Sequence, residues 1–255
     1  MKKGKIPRIR LDDLLVGRGL AEDREQAQAL ILAGTILVGD RPADKAGTPI
    51  PADAEIRIRG EACPYVSRGG LKLRSALDTF GISAAGLTAL DVGASTGGFT
   101  DCLLQAGAAR VYAVDVAYGQ LAWKLREDPR VVGIERTNIR TYDGAAIATG
   151  IDIAVIDASF ISLKLVIPPV LKLLKAGALL IALVKPQFEV EKNEVGDRGV
   201  VRDPALHRRV LAEIEAFGRD FGLSLLGSCD SPLTGPAGNR EFFICFRKPL
   251  GIMTG

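Results

Sequence analysis

From residue 88 onward the chain repeats one device, a short apolar run followed by a stretch with helical spacing. The runs are Ala89-Leu90-Asp91-Val92, Arg110-Val111-Tyr112-Ala113-Val114-Asp115-Val116, Val131-Val132-Gly133-Ile134, Ile153-Ala154-Val155-Ile156-Asp157 and Ala178 to Val184. Two more follow, near Leu223 to Ser228 and from Glu241 to Arg247. Strands that are apolar along their whole length bury both faces. That is the condition of parallel strands joined by crossover helices. The pattern predicts an α/β fold over residues 67–255, a doubly wound sheet of the Rossmann type.

The first sixty residues have a different character. Leu11, Leu14 and Leu15 stand at helical spacing, and Gly17 or Gly19 can end that helix. A second helix is expected from Glu22 to about Ala33, with Ala27, Leu30 and Ile31 on one face and Gly34 as its stop. Thr35-Ile36-Leu37-Val38 predicts a strand and Gly39-Asp40 a turn. Ala43 to Asp53, rich in Pro, Gly and Asp, predicts a loop, and Glu55-Ile56-Arg57-Ile58-Arg59 alternates as a half-exposed strand does. The result is a small α+β unit over residues 1–60. Residues 61–66, beginning Glu61-Ala62-Cys63-Pro64, predict a linker stiffened by proline.

Composition excludes several classes. The longest apolar run, Ala176 to Val184, is too short for a membrane span of about 20 residues. Met1 to Arg10 is basic and is followed by no apolar core, so a signal peptide is not expected. Both features predict a soluble, cytoplasmic protein with no membrane partner. Cys63, Cys102, Cys229 and Cys245 form no C-x-x-C pair and His207 is the one histidine, so no metal site is expected. The formal net charge is only +3, but Lys2, Lys3, Lys5, Arg8 and Arg10 crowd the first ten residues with no acid among them. That cluster is either a solubilising tail or an arm that contacts phosphate.

The segment Asp91-Val92-Gly93-Ala94-Ser95-Thr96-Gly97-Gly98-Phe99 leaves the first strand of the sheet and enters a helix. Its glycines let a ligand approach the backbone. Asp115, at the end of the second strand, is placed to bond a ribose diol. A dinucleotide would need G-x-G-x-x-G, and the pyrophosphate would lie badly beside Asp91. A carboxylate there suits a ligand carrying an ammonium or sulfonium group, which predicts S-adenosylmethionine as cofactor. Asp91, Gly93, Ser95, Thr96, Gly97, Gly98, Phe99 and Asp115 are the candidate cofactor residues. Asn138, after the third strand, either contacts the adenosine or caps a helix.

Four charged residues stand out by position. Asp157 ends the fourth strand and Lys185 the fifth, so both project at the carboxyl edge where ligands bind in such folds. Lys72 lies in Ser67-Arg68-Gly69-Gly70-Leu71-Lys72-Leu73, and Glu241 opens the last strand in Asn239-Arg240-Glu241-Phe242-Phe243. The large domain resembles the FtsJ-type ribose methyltransferases, whose Lys-Asp-Lys-Glu tetrad matches Lys72, Asp157, Lys185 and Glu241 in chain order. The first sixty residues resemble the S4-like RNA-binding domain, on Arg10-Leu11-Asp12, Arg24-Glu25-Gln26-Ala27 and Gly34-Thr35-Ile36-Leu37-Val38-Gly39. With Leu183-Val184-Lys185-Pro186-Gln187-Phe188-Glu189 and Gly199-Val200-Val201-Arg202-Asp203-Pro204, nearly the whole chain resembles the TlyA family, some members of which carry a haemolysin label.

The resemblance implies transfer of a methyl group from S-adenosylmethionine to the ribose 2′-hydroxyl of cytidine in ribosomal RNA, of the large subunit alone or of both. It implies that Lys185 orients or deprotonates the hydroxyl, that Asp157 holds Lys185, and that Lys72 and Glu241 position the ribose. It implies RNA contacts from Arg8, Arg10, Arg18, Arg24, Arg41 and Arg68. Two other classes compete. A ribosome-assembly or RNA-binding factor would bind without transferring a methyl group. A membrane-active haemolysin would need a secretion signal or an amphipathic membrane segment. His207 and Trp123 are expected to be structural, and the polar segment from Glu191 to Arg202 is either a mobile cover for the RNA or a passive loop.

Overall fold

A computed structural model describes residues 7–39, 41–58, 63–147 and 150–250. The basic cluster at Lys2, Lys3 and Lys5, and Glu61-Ala62 of the expected linker, lie outside the described residues. The chain divides into two compact units, Met1–Gly70 and Leu71–Gly255.

In the first unit, strand β1 (Arg8–Arg10) leads into helices α1 (Leu11–Gly17) and α2 (Arg24–Leu32). Asp23 caps α2 by accepting from Gln26 N at 2.7 Å, which satisfies one of the free amides of its first turn. Strands β2 (Ile36–Val38), β3 (Arg41–Pro42), β4 (Pro49–Pro51) and β5 (Ile56–Ile58) follow. Strand β2 lies between β3 and β5 in one antiparallel sheet, and β1 pairs with β4 in another. The β1–β4 ladder corrects the expected loop over residues 43–53. Pro49 and Pro51 hide it in the sequence, and a two-stranded ribbon tolerates prolines because they occupy an edge. Leu11, Leu14, Leu15, Ala27 and Ile31 lie in the core, as the helical spacing predicts, with Leu30 partly buried against it and Ile36 of β2 completing it.

The second unit runs α3 (Gly69–Phe80, whose first two residues belong to the first unit), β6 (Thr88–Val92), α4 (Gly98–Gln105), β7 (Arg110–Val114), α5 (Trp123–Arg126) and β8 (Val131–Ile134). It continues with β9 (Ile151–Ile156), α6 (Leu163–Leu173), β10 (Leu174–Val184), α7 (Pro204–Asp220), β11 (Ser224–Asp230) and β12 (Phe242–Arg247). Its seven strands lie in the order β11-β12-β10-β9-β6-β7-β8. All pair parallel except β12, which runs antiparallel to both β10 and β11. The β12 strand departs from the all-parallel expectation. Only residues 231–241 separate it from β11, too few for a crossover helix.

Strand β6 is the switch point. The chain winds outward through β7 and β8 on one side, then returns to place β9 on the other. A crevice opens at the carboxyl ends of strands flanking such a point. Leu90, Ile156, Leu180, Ala182 and Phe246 pack the core beneath it. Trp123 departs from expectation. It opens the short α5 and is 63% exposed. Among the described residues no helix is long and apolar enough to cross a membrane.

Candidate active site

The residues at the end of β6 build one half of the crevice. Asp91 is fully buried and accepts a hydrogen bond from Thr100 Oγ1 of α4 at 2.7 Å through Oδ2. Its Oδ1 is buried with no hydrogen-bond partner among the described residues. A buried carboxylate oxygen without a donor costs free energy unless a ligand satisfies it. Burial, and then the nearby Asp157, pushes the Asp91 carboxyl up to about 7 against the Thr100 bond.

The chain then makes a tight turn over the start of α4. Gly93, at φ +85°, lies against the next loop. A Cβ there would come within 2.6 Å of the Asp157 carbonyl oxygen. Gly97, at φ +97°, precedes the first residue of α4, Gly98, and a Cβ there would run into Leu121 and Leu125. Glycine is needed at both for conformation and for space. Ser95 adopts φ +49° and donates its backbone N–H to Asp115 Oδ2 at 2.7 Å. Ala117 N donates to Asp115 Oδ1 at 2.8 Å. These bonds aim the carboxylate at the end of β7 and leave each oxygen a second acceptor direction.

The remaining loop residues hold the frame. The Thr96 carbonyl accepts from Ala122 N, and Phe99 is buried with its ring 6.1 Å from that of Phe243. Asn138 spends its side-chain oxygen on Arg140 N at 3.1 Å, a turn contact within its own loop. That bond closes a turn; no helix begins at Asn138, so the helix-cap alternative is not met.

The other half holds two lysine–carboxylate pairs. Lys185, just past β10, is 8% exposed, and its Nζ lies 2.6 Å from Asp157 Oδ1. That approach is a close charge contact without hydrogen-bond alignment, since Asp157 Oδ1 has no hydrogen-bond partner. The aligned bond from Lys185 Nζ goes to Ser159 Oγ at 2.8 Å. Lys72 Nζ, in α3, donates to Glu241 Oε2 at 2.6 Å, and Glu241 is almost completely buried. Val184 pairs with Phe242 at the end of the β10–β12 ladder. Lys185 and Glu241 are the next residues on the two strands, so both pairs emerge at one edge of the sheet. Asp157 N bonds Val92 O, which ties the carboxyl end of β9 to the start of the glycine turn.

Several neighbours escaped the sequence reading. Ser159 is one. Phe160 is another, a bulky residue at φ +62° and 90% exposed, its ring 5.1 Å from that of Phe188. Strain of that kind in a non-glycine residue gathers at functional sites. Glu189 is a third. It accepts from Ser162 Oγ at 2.6 Å and Leu163 N at 2.8 Å, and burial raises its carboxyl above the usual range. No periodicity marks these residues, because each lies in an irregular turn.

His207 is buried in α7, its Nε2 2.9 Å from Val201 O and its ring 5.4 Å from that of Phe242. The segment from Glu191 to Arg202 is partly latched. Asn239 accepts from Val201 N and donates to Gly199 O, both at 2.9 Å, and Arg209 pairs with Glu194.

In the first unit the expected RNA-contacting arginines are largely engaged within the unit. Arg8 donates to Pro49 O at 2.7 Å, and Arg18 to Ala52 O and Ala54 O at 2.6 and 2.7 Å. Arg10 and Arg24 both reach Asp12, which is fully buried. Arg41 lies exposed in β3, and Arg68 is half-buried just before α3. The four cysteines form no disulfide with one another, and no group of three metal-ligating side chains occurs among the described residues.

Comparison with known proteins agrees with this architecture. Residues 65–248 match the FtsJ-like methyltransferase family, and residues 9–56 match the S4 domain. The 16S/23S rRNA (cytidine-2′-O)-methyltransferase TlyA of Mycobacterium tuberculosis is 46% identical over 94% of this chain and 90% of its own length. Hemolysin A of Brachyspira hyodysenteriae is 38% identical over 93% of this chain and 99% of its own. A hemolysin-named solved structure from Streptococcus thermophilus superposes with a TM-score of 0.76 at 43% identity, covering 96% of this chain and 90% of that one. A lysine–aspartate and a lysine–glutamate pair at the carboxyl edge of a doubly wound sheet, in a chain that also carries an S4 domain, therefore have their place: the chain belongs to the FtsJ-like methyltransferase family, in the group with an S4 domain that includes TlyA.

Proposed function

We propose that this protein transfers a methyl group from S-adenosylmethionine to the 2′-hydroxyl of cytidine in ribosomal RNA, of the large subunit and also of the small. The observation that carries this reading is the convergence of Lys72–Glu241 and Lys185–Asp157 at one strand edge, adjoining the buried, half-satisfied Asp91. The M. tuberculosis relative bears that activity in its name. We place the protein in the cytoplasm with its RNA. We assign RNA binding to residues 1–60, the link to residues 61–66 and chemistry to residues 67–255.

The residues fit the cofactor. Asp91 Oδ1 lacks a donor, and a cationic group would supply one. Asp115 presents two oxygens already oriented by backbone amides, an arrangement suited to a ribose diol. Gly93 and Gly97 leave space where side chains would fill the turn. When bound, S-adenosylmethionine supplies a methyl group already activated on a sulfonium, so the protein must chiefly position the acceptor and receive its proton.

Lys185 is the group that does so. Its amine is nearly buried; one of its donor directions is spent on Ser159, and its charge lies beside Asp157. A further donor direction is available to the ribose 2′-oxygen. A charged Lys185 orients that oxygen, and a neutral one takes its proton. Lys72, held by Glu241, provides a second fixed positive charge that positions the ribose.

The test is transfer of labelled methyl to separated, unmodified small and large ribosomal subunits, with the modified nucleotide mapped. Label at the 2′-oxygen of cytidine is expected. Cofactor binding with no transfer to either subunit would leave the assembly-factor reading instead.

A further inference from the structure

Lys185 makes its one aligned hydrogen bond outside the four tetrad residues. It donates from Nζ to Ser159 Oγ at 2.8 Å, whereas its 2.6 Å approach to Asp157 Oδ1 lacks hydrogen-bond alignment. Ser159 lies two residues past Asp157, in the turn between β9 and α6, and is itself exposed. The bond therefore ties a nearly buried amine to a residue at the open surface.

The Ser159 turn is braced. Residues 157–163 and 185–189 are laced together by Lys185–Ser159, by the Phe160–Phe188 ring contact at 5.1 Å, and by Glu189. The Glu189 carboxylate takes both Ser162 Oγ and Leu163 N. Phe160 at φ +62° is the strained joint that turns the chain between the first and last of these contacts.

From this geometry we infer that Ser159 is a positioning residue for the reaction, fixing the direction in which the Lys185 amine faces the ribose 2′-oxygen. A charge contact alone leaves an ammonium free to rotate about its last bond, and an aligned second bond removes that freedom. A hydroxyl suits the place because it accepts from a charged amine and donates to a neutral one, so the bond survives either protonation state of Lys185. The inference rests on the assignment of Lys185 as the group that meets the 2′-hydroxyl.

The experiment compares the wild type with Ser159→Ala, Ser159→Thr and Lys185→Met, each full length, with unmodified large ribosomal subunits and S-adenosylmethionine. We expect Ser159→Ala to lower kcat about tenfold or more, with KM for both substrates and the melting temperature within about twofold and two degrees of wild type. Ser159→Thr, which keeps the hydroxyl, restores most of the rate. An unchanged kcat in Ser159→Ala overturns the inference. So does a rise in KM for the subunits in place of a fall in kcat, which would make Ser159 an RNA contact, and so does failure of threonine to rescue. If Lys185→Met retains the wild-type rate, the underlying assignment fails. If Lys185→Met is inactive while Ser159→Ala is fully active, only the present inference does.

Discussion

Thr100 Oγ1 satisfies one oxygen of the Asp91 carboxylate at 2.7 Å and leaves the other, Oδ1, buried and without a hydrogen bond. The helix that follows the glycine turn thus fixes the carboxylate but completes only half of its hydrogen bonding. If Asp91 meets the cationic end of the cofactor, as proposed, cofactor binding and protein stability are sensitive to the same proton.

Burial holds the Asp91 carboxyl up at about 7 in the ligand-free protein, against about 4 for an unfolded chain. The folded state therefore binds this proton more tightly than the unfolded state does. The contribution of Asp91 to ligand-free stability falls as pH rises from about 4 through 7. A cationic ligand reverses the preference. Cofactor affinity is expected to weaken as pH drops below about 7, with release of a proton on binding. Calorimetric titrations at pH 6 and 8 in two buffers of different ionisation enthalpy measure both effects. Asp91→Asn should abolish the proton release, weaken binding about tenfold or more, and leave the ligand-free protein as stable as wild type or more so. Equal affinity at both pH values, with no proton exchanged, would remove Asp91 from the cofactor site.

The Lys72–Glu241 pair is nearly dry, so removing one partner strands the other. Lys72→Met and Glu241→Gln should each destabilise the protein by several kcal/mol, up to ~3–5. The double variant should recover part of that loss, because two neutral side chains leave no uncompensated charge. Methyl transfer should be lost in all three. Denaturant melts provide the cycle, and additive losses would show that the two residues do not interact as the 2.6 Å contact requires.

Asp157, Lys185, Glu241 and the glycine turn were legible because each adjoins a strand that the apolar pattern already marks, whereas Lys72, inside α3, was visible only through the family motif. Asp157 follows Ile156 and Lys185 follows Val184, and the ladders bring those strand ends together. Ser159, Phe160 and Glu189 were not legible, since their positions depend on how two irregular turns meet. The β12 reversal was hidden for another reason. Phe242-Phe243-Ile244-Cys245-Phe246 is as apolar as a parallel strand, and covered faces look alike in either direction. The arginines of the first unit were visible as charges, but their partners were not. Backbone carbonyls such as Pro49 O and Ala54 O leave no mark in a sequence.

Gly97 gives a direct test of the cradle. Its φ of +97° is a conformation that side chains rarely adopt, and a methyl group there meets Leu121 Cδ1 at 2.8 Å as well as Leu125. Gly97→Ala should cost about 2–4 kcal/mol through backbone strain and crowding. The displaced turn would carry Ser95 N away from Asp115, so cofactor affinity should fall with it. Thermal melts with and without S-adenosylmethionine separate the two effects. A variant with wild-type stability and affinity would show that the turn does not need glycine.

The buried acid of the first unit organises its arginines. Asp12 accepts from Arg10 at 2.6 Å, from Arg24 and Gln28 at 3.1 Å, and from Asp13 N. These donors, the Arg10 bond foremost, hold its carboxyl far below the usual range. A depressed folded value means that the stabilising contribution is present above about pH 4 and is lost as pH falls below it. Asp12→Asn should therefore unfold the first unit more readily at pH 7, and the gap from wild type should begin to narrow only as pH falls below about 4. Hydrogen exchange of the α1 and α2 amides reads this unit separately from the large sheet. If Asp12 also sets the directions of Arg10 and Arg24 toward RNA phosphates, the variant should bind ribosomal subunits less tightly and with a shallower salt dependence. Unchanged binding alongside lost stability would make Asp12 a folding residue alone.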